Sequence, residues 1–510
     1  MQRRIRQVLF WFILLQPFLD FYWLNNPPLS EILPFSIPTI IRILVILVLA
    51  CMYLSQKRSW QIFRKQWWII LYLALLIIYS AIHLLHVRNF NSLSPTSYNF
   101  SMSSEIFYLF RMFLPLIVLY VTKYANFTEQ TVIHIIQSLV GIFAGIVVFS
   151  NLFIKSLRAY GNGWINYNII DWFTHGSLSY AQTASKGFFY FTNTLAAIMF
   201  MLASLIIYVT IKQFNWKNMT LLILQGLAMI MIGTKTATLG FLIALALWLI
   251  AYFIHAFILK NANFSWKIAS ALILLGAIYG VTLPKSPMIQ RANADIAWAQ
   301  QDNGKYSEKN LNQKLSAGLK KTKTQAERKQ YLQNFIKKYY EYYHLNKKFI
   351  NKAYPYQQDA EFWYTIMTEY STEKRLNNRL IETEMLTQVV KNNHNSADKW
   401  LGISYARTSN LYNLERDFQY QSFSLGWIGV ILFLGVYVVS ELYAIFWWFK
   451  EKACRQLINS ALIFANGFCL VAAYYSGNVM DFLTATIILA FFTGYMLMNI
   501  DKNRHEKKLA

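Results

Sequence analysis

Residues 187–211 read GFFYFTNTLAAIMFMLASLIIYVTI, 25 consecutive positions without a charged side chain. Coiled as an α-helix, such a stretch is about 37 Å long, enough to cross a hydrocarbon core of roughly 30 Å. A helix on a soluble core keeps one polar face, and this one has none. Comparable runs lie at about 6–24, 37–55, 67–85, 105–122, 132–154, 218–235, 237–258, 267–284, 425–447, 457–475 and 480–498. The chain of 510 residues is 56% hydrophobic and only 14% charged, more apolar side chain than a soluble core can bury. We therefore expect an all-α fold, a polytopic transmembrane bundle of about twelve spans.

The basic head MQRRIR resembles the start of a signal peptide, but the apolar run continues to Leu24 without a small-residue cleavage site and ends on Phe21, Tyr22 and Trp23. It is expected to be retained. Cys51, Cys454 and Cys469 all lie in or beside apolar runs, so neither a disulfide framework nor a cysteine-rich metal site is expected. The net charge of +24 would suggest nucleic acid in a soluble protein; in a membrane protein it must first be divided between two faces. With the N-terminus in the cytoplasm, the clusters Arg3/Arg4/Arg6, Lys57/Arg58/Arg64/Lys65, Lys450/Lys452/Arg455 and Lys502/Arg504/Lys507/Lys508 all fall inside. The short outer loops then keep Arg88, Lys155, Arg158 and Lys186, with Lys235 at a helix tip. The positive-inside rule favours this orientation, with both termini cytoplasmic.

Three regions follow: spans one to nine over 1–284, a long, mostly helical extracytoplasmic loop over 285–424, and spans ten to twelve with the tail over 425–510. The loop carries 22 Lys and Arg against 14 Asp and Glu, a charge of +8 on the face where basic residues are usually sparse. Its run KKTKTQAERK (320–329) reads as a solvated helical face, and 325–354 as a surface helix. Asp20, Arg42 and Arg111 lie at similar depth under the outer face, where Asp20 or Glu105 is expected to pair with an arginine or to line a polar pocket. Lys235, in the tight turn MIGTKTATLGF, stands among small residues that a ligand can approach. His83, His134 and His255 sit in apolar helix patterns and are expected to be satisfied imidazoles, while His175 and His394 read as loop histidines. HExxH, CxxC and a Gly-rich phosphate loop are missing from the sequence, as is any internal repeat.

Four stretches, in order, resemble the O-antigen ligase and polymerase family (Wzy/WaaL-like), membrane enzymes that move polyprenyl-pyrophosphate-linked glycans onto an acceptor sugar. RAYGNGWINYN from Arg158, followed by GFFYFTNTLAAIMF from Gly187, is similar to the family's outer-loop arginine and its entry into the next helix, with Asn193 at the family's Asn. IGTKTATLGF resembles a Thr-Ser-Arg-Gly turn, with Lys235 where arginine is commoner. NNRLIETEMLTQVV and ADKWLGISY place Arg379 at a family arginine and Gly402 at a family glycine; the second glycine is Ser404 here. ERDFQYQSFSLGWIG resembles the segment closing the long loop, with Glu415 where the family has histidine.

The resemblance implies a GT-C-like bundle in the plasma membrane that polymerises, or ligates, cell-surface polysaccharide units from a polyprenyl-pyrophosphate donor. It implies Glu415 as the base that takes the acceptor proton. Arg158, Lys235 and Arg379 would hold the pyrophosphate, with Arg407 a further candidate, and Asp417 would compete with Glu415. Charge-assisted contacts of this kind can replace a metal ion, so inverting transfer without metal or cofactor is expected. Expected partners are the lipid-linked oligosaccharide, an acceptor glycan, the bilayer and other polysaccharide-assembly proteins, with no nucleic acid. A lipid-linked oligosaccharide flippase is the alternative, although two pseudo-symmetric halves, its usual mark, are not evident. A non-catalytic scaffold leaves the ordered cations unexplained.

Overall fold

The structure, a computed structural model, describes residues 1–24, 27, 36–90, 100–176, 178–299, 306–409 and 414–506. Among them there is no strand, only the isolated bridges Leu157–Trp164 and Arg158–Ser185. Among the described residues, ten helices are long and apolar enough to cross a membrane: Ile37–Leu54, Trp67–Arg88, Met102–Tyr124, Glu129–Phe153, Thr192–Lys212, Lys235–Ile258, Trp266–Trp298, Gly426–Lys450, Leu457–Tyr475 and Leu483–Arg504. The protein is an all-α, multi-pass membrane protein. The other two expected spans are present in shorter form. Trp216–Ile232 has 17 residues, and Gln2–Leu15 tightens at Pro17 into the 3-10 turns of Gln16–Trp23. The ninth expected span does not stop near residue 284, because helical structure carries on through the 3-10 turn Leu283–Lys285 into Pro287–Ala299.

The chain packs as two units, of which the first holds Met1–Ala74, Leu109–Ala292 and Phe433–Ala510. Its centre is Thr192–Lys212, on which every residue from Thr194 to Ile211 is buried. A helix buried all round needs close neighbours, and small residues admit them. A Cβ on Gly240 would stand 2.9 Å from the Phe200 ring, and Phe200 itself stacks on Phe468 at 4.2 Å. Polar groups at this depth are tied off. Trp248 Nε1 donates to Ser204 Oγ (2.9 Å), and Ser204 Oγ donates to the Ala461 carbonyl (3.2 Å). Buried Arg42 donates to Asp20 Oδ1 (2.9 Å), Thr484 Oγ1 (2.8 Å) and the Gln16 carbonyl (2.8 Å), while Arg111 pairs with Asp481 at 2.8 Å. The expected Asp20–arginine pair is present; Glu105 instead meets His83, at 2.9 Å.

The second unit holds Leu75–Tyr108 and Asn293–Leu432. The long loop folds around its own core, with Leu311, Leu332, Phe335, Ile336, Tyr343, Trp363, Met385 and Leu386 buried together. The stretch expected as a surface helix therefore contributes one apolar face, since Gln325–Tyr339 buries Leu332, Phe335, Ile336 and Tyr339. Trp363 is fully buried and its indole N–H donates to the Tyr354 carbonyl at 2.7 Å, which satisfies the one polar atom its burial would strand.

The returning segment crosses itself backbone to backbone. Ile403 N donates to the Phe423 carbonyl (2.8 Å) and Ser404 N to the Ser424 carbonyl (3.1 Å). Gly402 (φ +78°) and Gly426 (φ +69°) allow this approach: a Cβ on Gly426 would stand 2.3 Å from the Trp400 carbonyl carbon and oxygen. Ser404 also has φ +95°, a glycine-like conformation at the position where the family resemblance lacks its second glycine. Gly426→Ala adds a strained φ to a clash with backbone that cannot swing away. We expect a loss of at least about 2 kcal/mol, read as a lower melting temperature of the purified chain; an unchanged melt would contradict the crossing.

Candidate functional site

In the second unit, the helix Asn378–Asn393 begins at Asn377, whose side chain accepts from Leu380 N at 3.3 Å. Arg379 stands in its first turn, where Nε and Nη2 both meet Oε2 of Glu415. The two side chains are 34% and 32% exposed, so the pair is open to a ligand. Glu415 comes from the far end of the loop, next to Arg416, which carries φ +79° without being glycine. Strain of this kind costs about 1–3 kcal/mol and persists where the surrounding structure enforces it.

One helical turn beyond Arg379, on the same face, lies Glu382. It is 5% exposed. Burial first, and then the Glu415 carboxylate, push its pKa up to about 9, with Arg379 opposing part of the rise. Of the two carboxyls that bear on this guanidinium, Glu415 thus meets it directly and Glu382 is buried one turn away. The sequence reading passed over Glu382. Its signal was the Arg-x-x-Glu spacing inside NNRLIETEM.

Asp417 opens the short helix Asp417–Ser424 and is 2% exposed. Arg407 is also enclosed. Its Nη1 donates to the carbonyls of Val87 (2.6 Å) and Ile403 (3.0 Å), and its guanidinium lies between the rings of Phe90 and Phe100, 4.5 and 4.4 Å away. Burial lowers its pKa to about 10. All of this makes Arg407 a strut for the 403–408 turn. Beside it, His83 Nδ1 donates to the Leu401 carbonyl (2.6 Å), and Glu105 also accepts from Tyr405 N (3.0 Å). His255 is likewise satisfied, by Asn261 and Ser460.

In the first unit, the segments near Arg158 and Ser185 pair with each other and lie on a helix turn. Ala159 N donates to the Ala184 carbonyl (2.9 Å), Ser185 N to the Met231 carbonyl (2.8 Å) and Tyr160 Oη to the Gly233 carbonyl (2.8 Å). Gly233 caps Trp216–Ile232 in the left-handed region, and Thr234 caps the next helix by accepting from Ala237 N. Lys235 is exposed at that helix's first position. A cation there opposes the helix dipole, so the site concentrates positive potential. Arg158 donates to the Trp164 carbonyl (2.7 Å) and Asn166 Oδ1 (3.0 Å), and Arg291 lies over the Tyr160 ring at 4.6 Å. Lys186 donates to the Tyr190 carbonyl at 2.7 Å, and burial lowers its pKa to about 8. Among the described residues, no carboxylate meets Arg158, Lys186 or Lys235. The turn joins Arg158 and Lys235 into one region, together with Arg291, which the sequence reading had counted only as loop charge.

A polytopic bundle, a long helical loop and cations gathered at helix ends form one pattern along the chain, and the family model for O-antigen ligase-like membrane proteins matches residues 2–503. The chain belongs to that family. Comparison with curated proteins gave no match. Membership supports a glycan ligase or polymerase role in a membrane, with lipid-linked glycan as the kind of substrate.

Proposed function

We propose that this O-antigen ligase-like protein is a glycosyltransferase at the outer face of the plasma membrane, with both termini cytoplasmic. It extends cell-surface polysaccharide by moving a glycan from a polyprenyl pyrophosphate to an acceptor hydroxyl. The observation that carries this reading is the Arg379–Glu415 pair, a carboxylate and a guanidinium open to ligand. Glu415 takes the acceptor proton, the acceptor oxygen attacks the anomeric carbon from the face opposite the leaving group, and the bond to pyrophosphate breaks with inversion. Arg379 then faces the growing negative charge. Arg158 and Lys235, within the first unit, form an anion-binding region of their own for the polyprenyl-pyrophosphate substrate, and Asp417 is the second candidate for the base. Enclosed Arg407 is assigned no contact with substrate.

The test is to incubate the purified chain in detergent with a polyprenyl-pyrophosphate oligosaccharide, with EDTA present, and to follow free polyprenyl pyrophosphate and glycan length. Release of the lipid together with longer lipid-linked glycans supports a polymerase. Transfer of finished glycan to a different acceptor supports a ligase, and no release of lipid sinks the reading, leaving transport to be tried. Lys235→Ala is expected to raise the KM for donor about tenfold, an effect that shrinks with added salt because the contact is an exposed one. The same change relieves the dipole conflict and stabilises the helix by about 0.3–1 kcal/mol.

A further inference from the structure

We propose that one end of the first unit, formed by residues 2–6, the helix Lys57–Lys65 and Tyr124, is a docking surface for the headgroups of anionic phospholipids, with no part in the transfer step. Two spans fix its depth. Ile37–Leu54 ends just before Lys57–Lys65 and Trp67–Arg88 begins just after it, so this short helix lies where hydrocarbon gives way to lipid phosphate. Tyr124, the last residue of the span Met102–Tyr124, ties the other pieces to that level. Gln2 Nε2 donates to its carbonyl (3.3 Å), Gln66 Nε2 donates to its hydroxyl, and Arg6 Nη1 donates to the carbonyls of Ala125 and Asn126 (3.4 Å each). Tyr120 Oη donates to Gln66 Oε1 at 3.2 Å, and its ring meets Phe63 at 6.1 Å. Phe63 and buried Ser59, one turn apart, thus face the bundle. The opposite face of the helix carries Lys57, Gln61 and Arg64, all exposed, as are Lys65, Arg3 and Arg4.

Five exposed cations therefore stand at headgroup depth, and among the described residues none of them meets a carboxylate. The sequence supplies few. From Met1 to Lys65 its acids are Asp20 and Glu31, and Asp20 is held by Arg42. Asp501, which Lys123 brings towards Tyr124, is taken up by Lys123 (2.9 Å) and Arg504 (3.6 Å). Lys57 also opens its helix, where a cation opposes the dipole and an external anion relieves the conflict. Trp60, Trp67 and Trp68 are exposed beside these cations, an aromatic border suited to the lipid interface, for which a free anion has no use. An amphipathic helix with basic and aromatic residues, lying between two spans, matches a ligand that carries its negative charge at the top of an apolar tail.

The test reconstitutes the full chain in phosphatidylcholine bilayers with a trace of spin-labelled phosphatidylglycerol or, in parallel, spin-labelled phosphatidylcholine. Electron paramagnetic resonance then reads the label immobilised against the protein. At low salt, wild type is expected to hold phosphatidylglycerol at least about fivefold more tightly, the contribution of one basic residue near an anionic surface. The preference should vanish in about 1 M NaCl, where the Debye length is about 3 Å. Equal holding of the two lipids by wild type overturns the proposal without recourse to any variant. Arg3→Gln, Arg4→Gln, Lys57→Gln, Arg64→Gln and Lys65→Gln together should remove the preference. Lys320→Gln, Lys321→Gln and Lys323→Gln, which take charge from the long loop instead, should leave it. A preference that survives the first set, or is lost with the second, places the lipid elsewhere and overturns the assignment. Displacement of the label by inorganic phosphate at constant ionic strength would make this a site for free phosphate and overturn the lipid reading.

Discussion

Glu415→Gln is expected to slow glycan transfer by about 10²- to 10⁴-fold, the contribution of a positioned general base. Gln keeps the size of the side chain and an oxygen that accepts from Arg379, but it has no lone pair basic enough to take the acceptor proton. Folding should be little affected. The pair is about one-third exposed, so losing its charge costs no more than about 1 kcal/mol. Arg379→Ala removes instead the cation that faces the pyrophosphate, and it should lower kcat and raise the KM for donor together. Asp417→Asn separates the two candidate bases. Loss of rate there with Glu415→Gln unaffected moves the role two residues along, onto a carboxylate that is 2% exposed at the start of its helix. Rates within about threefold of wild type in all three variants would remove the base and the cation from this site, and leave family membership untouched.

The spans were legible because one physical quantity, the thickness of the apolar core, sets the length of every run. Where a helix differs in length from its expected run, local backbone is the cause. Pro17 tightens the end of the first helix, and Ser286 only interrupts a helix that polar residues such as Arg291 and Asp295 then continue. The core of the long loop was not legible. Its apolar residues are spread among Tyr, Lys and Glu, so no short window shows them converging, and the chain reads as a solvated surface until helices far apart in sequence bury Leu332 against Trp363. The candidate site divides in the same way. Arg379 and Glu415 could be named singly, from order and charge. What sets Glu382 apart is burial within the folded loop and, after it, a carboxylate 33 residues downstream, and what encloses Arg407 is a pair of phenylalanines some 300 residues upstream.

Arg375→Ala is the substitution expected to cost the long loop most. The side chain is fully buried, and its guanidinium is used on every side: Nε donates to the Tyr343 carbonyl (3.1 Å), Nη1 to the carbonyls of Met367 (3.0 Å) and Tyr370, and Nη2 to Thr372 Oγ1 (3.2 Å) and to Glu308. One cation therefore joins Glu308, the Tyr340–Tyr343 turn and the Ala360–Glu369 helix. Truncation strands three carbonyl oxygens and opens a cavity, for a loss of about 3 kcal/mol. Lys restores the charge but not the planar fork that reaches several acceptors at once, so Arg375→Lys should recover only part of it. Because the loop has its own core, the damage should stay local. Limited proteolysis ought to cut the variant within 306–409 well before wild type, with the membrane helices still protected. Equal resistance in variant and wild type would mean that Arg375 does not tie the loop together. Early cleavage with transfer also lost would show that the fold of the loop, and with it the placement of Arg379 and Glu415, depends on this buried cation.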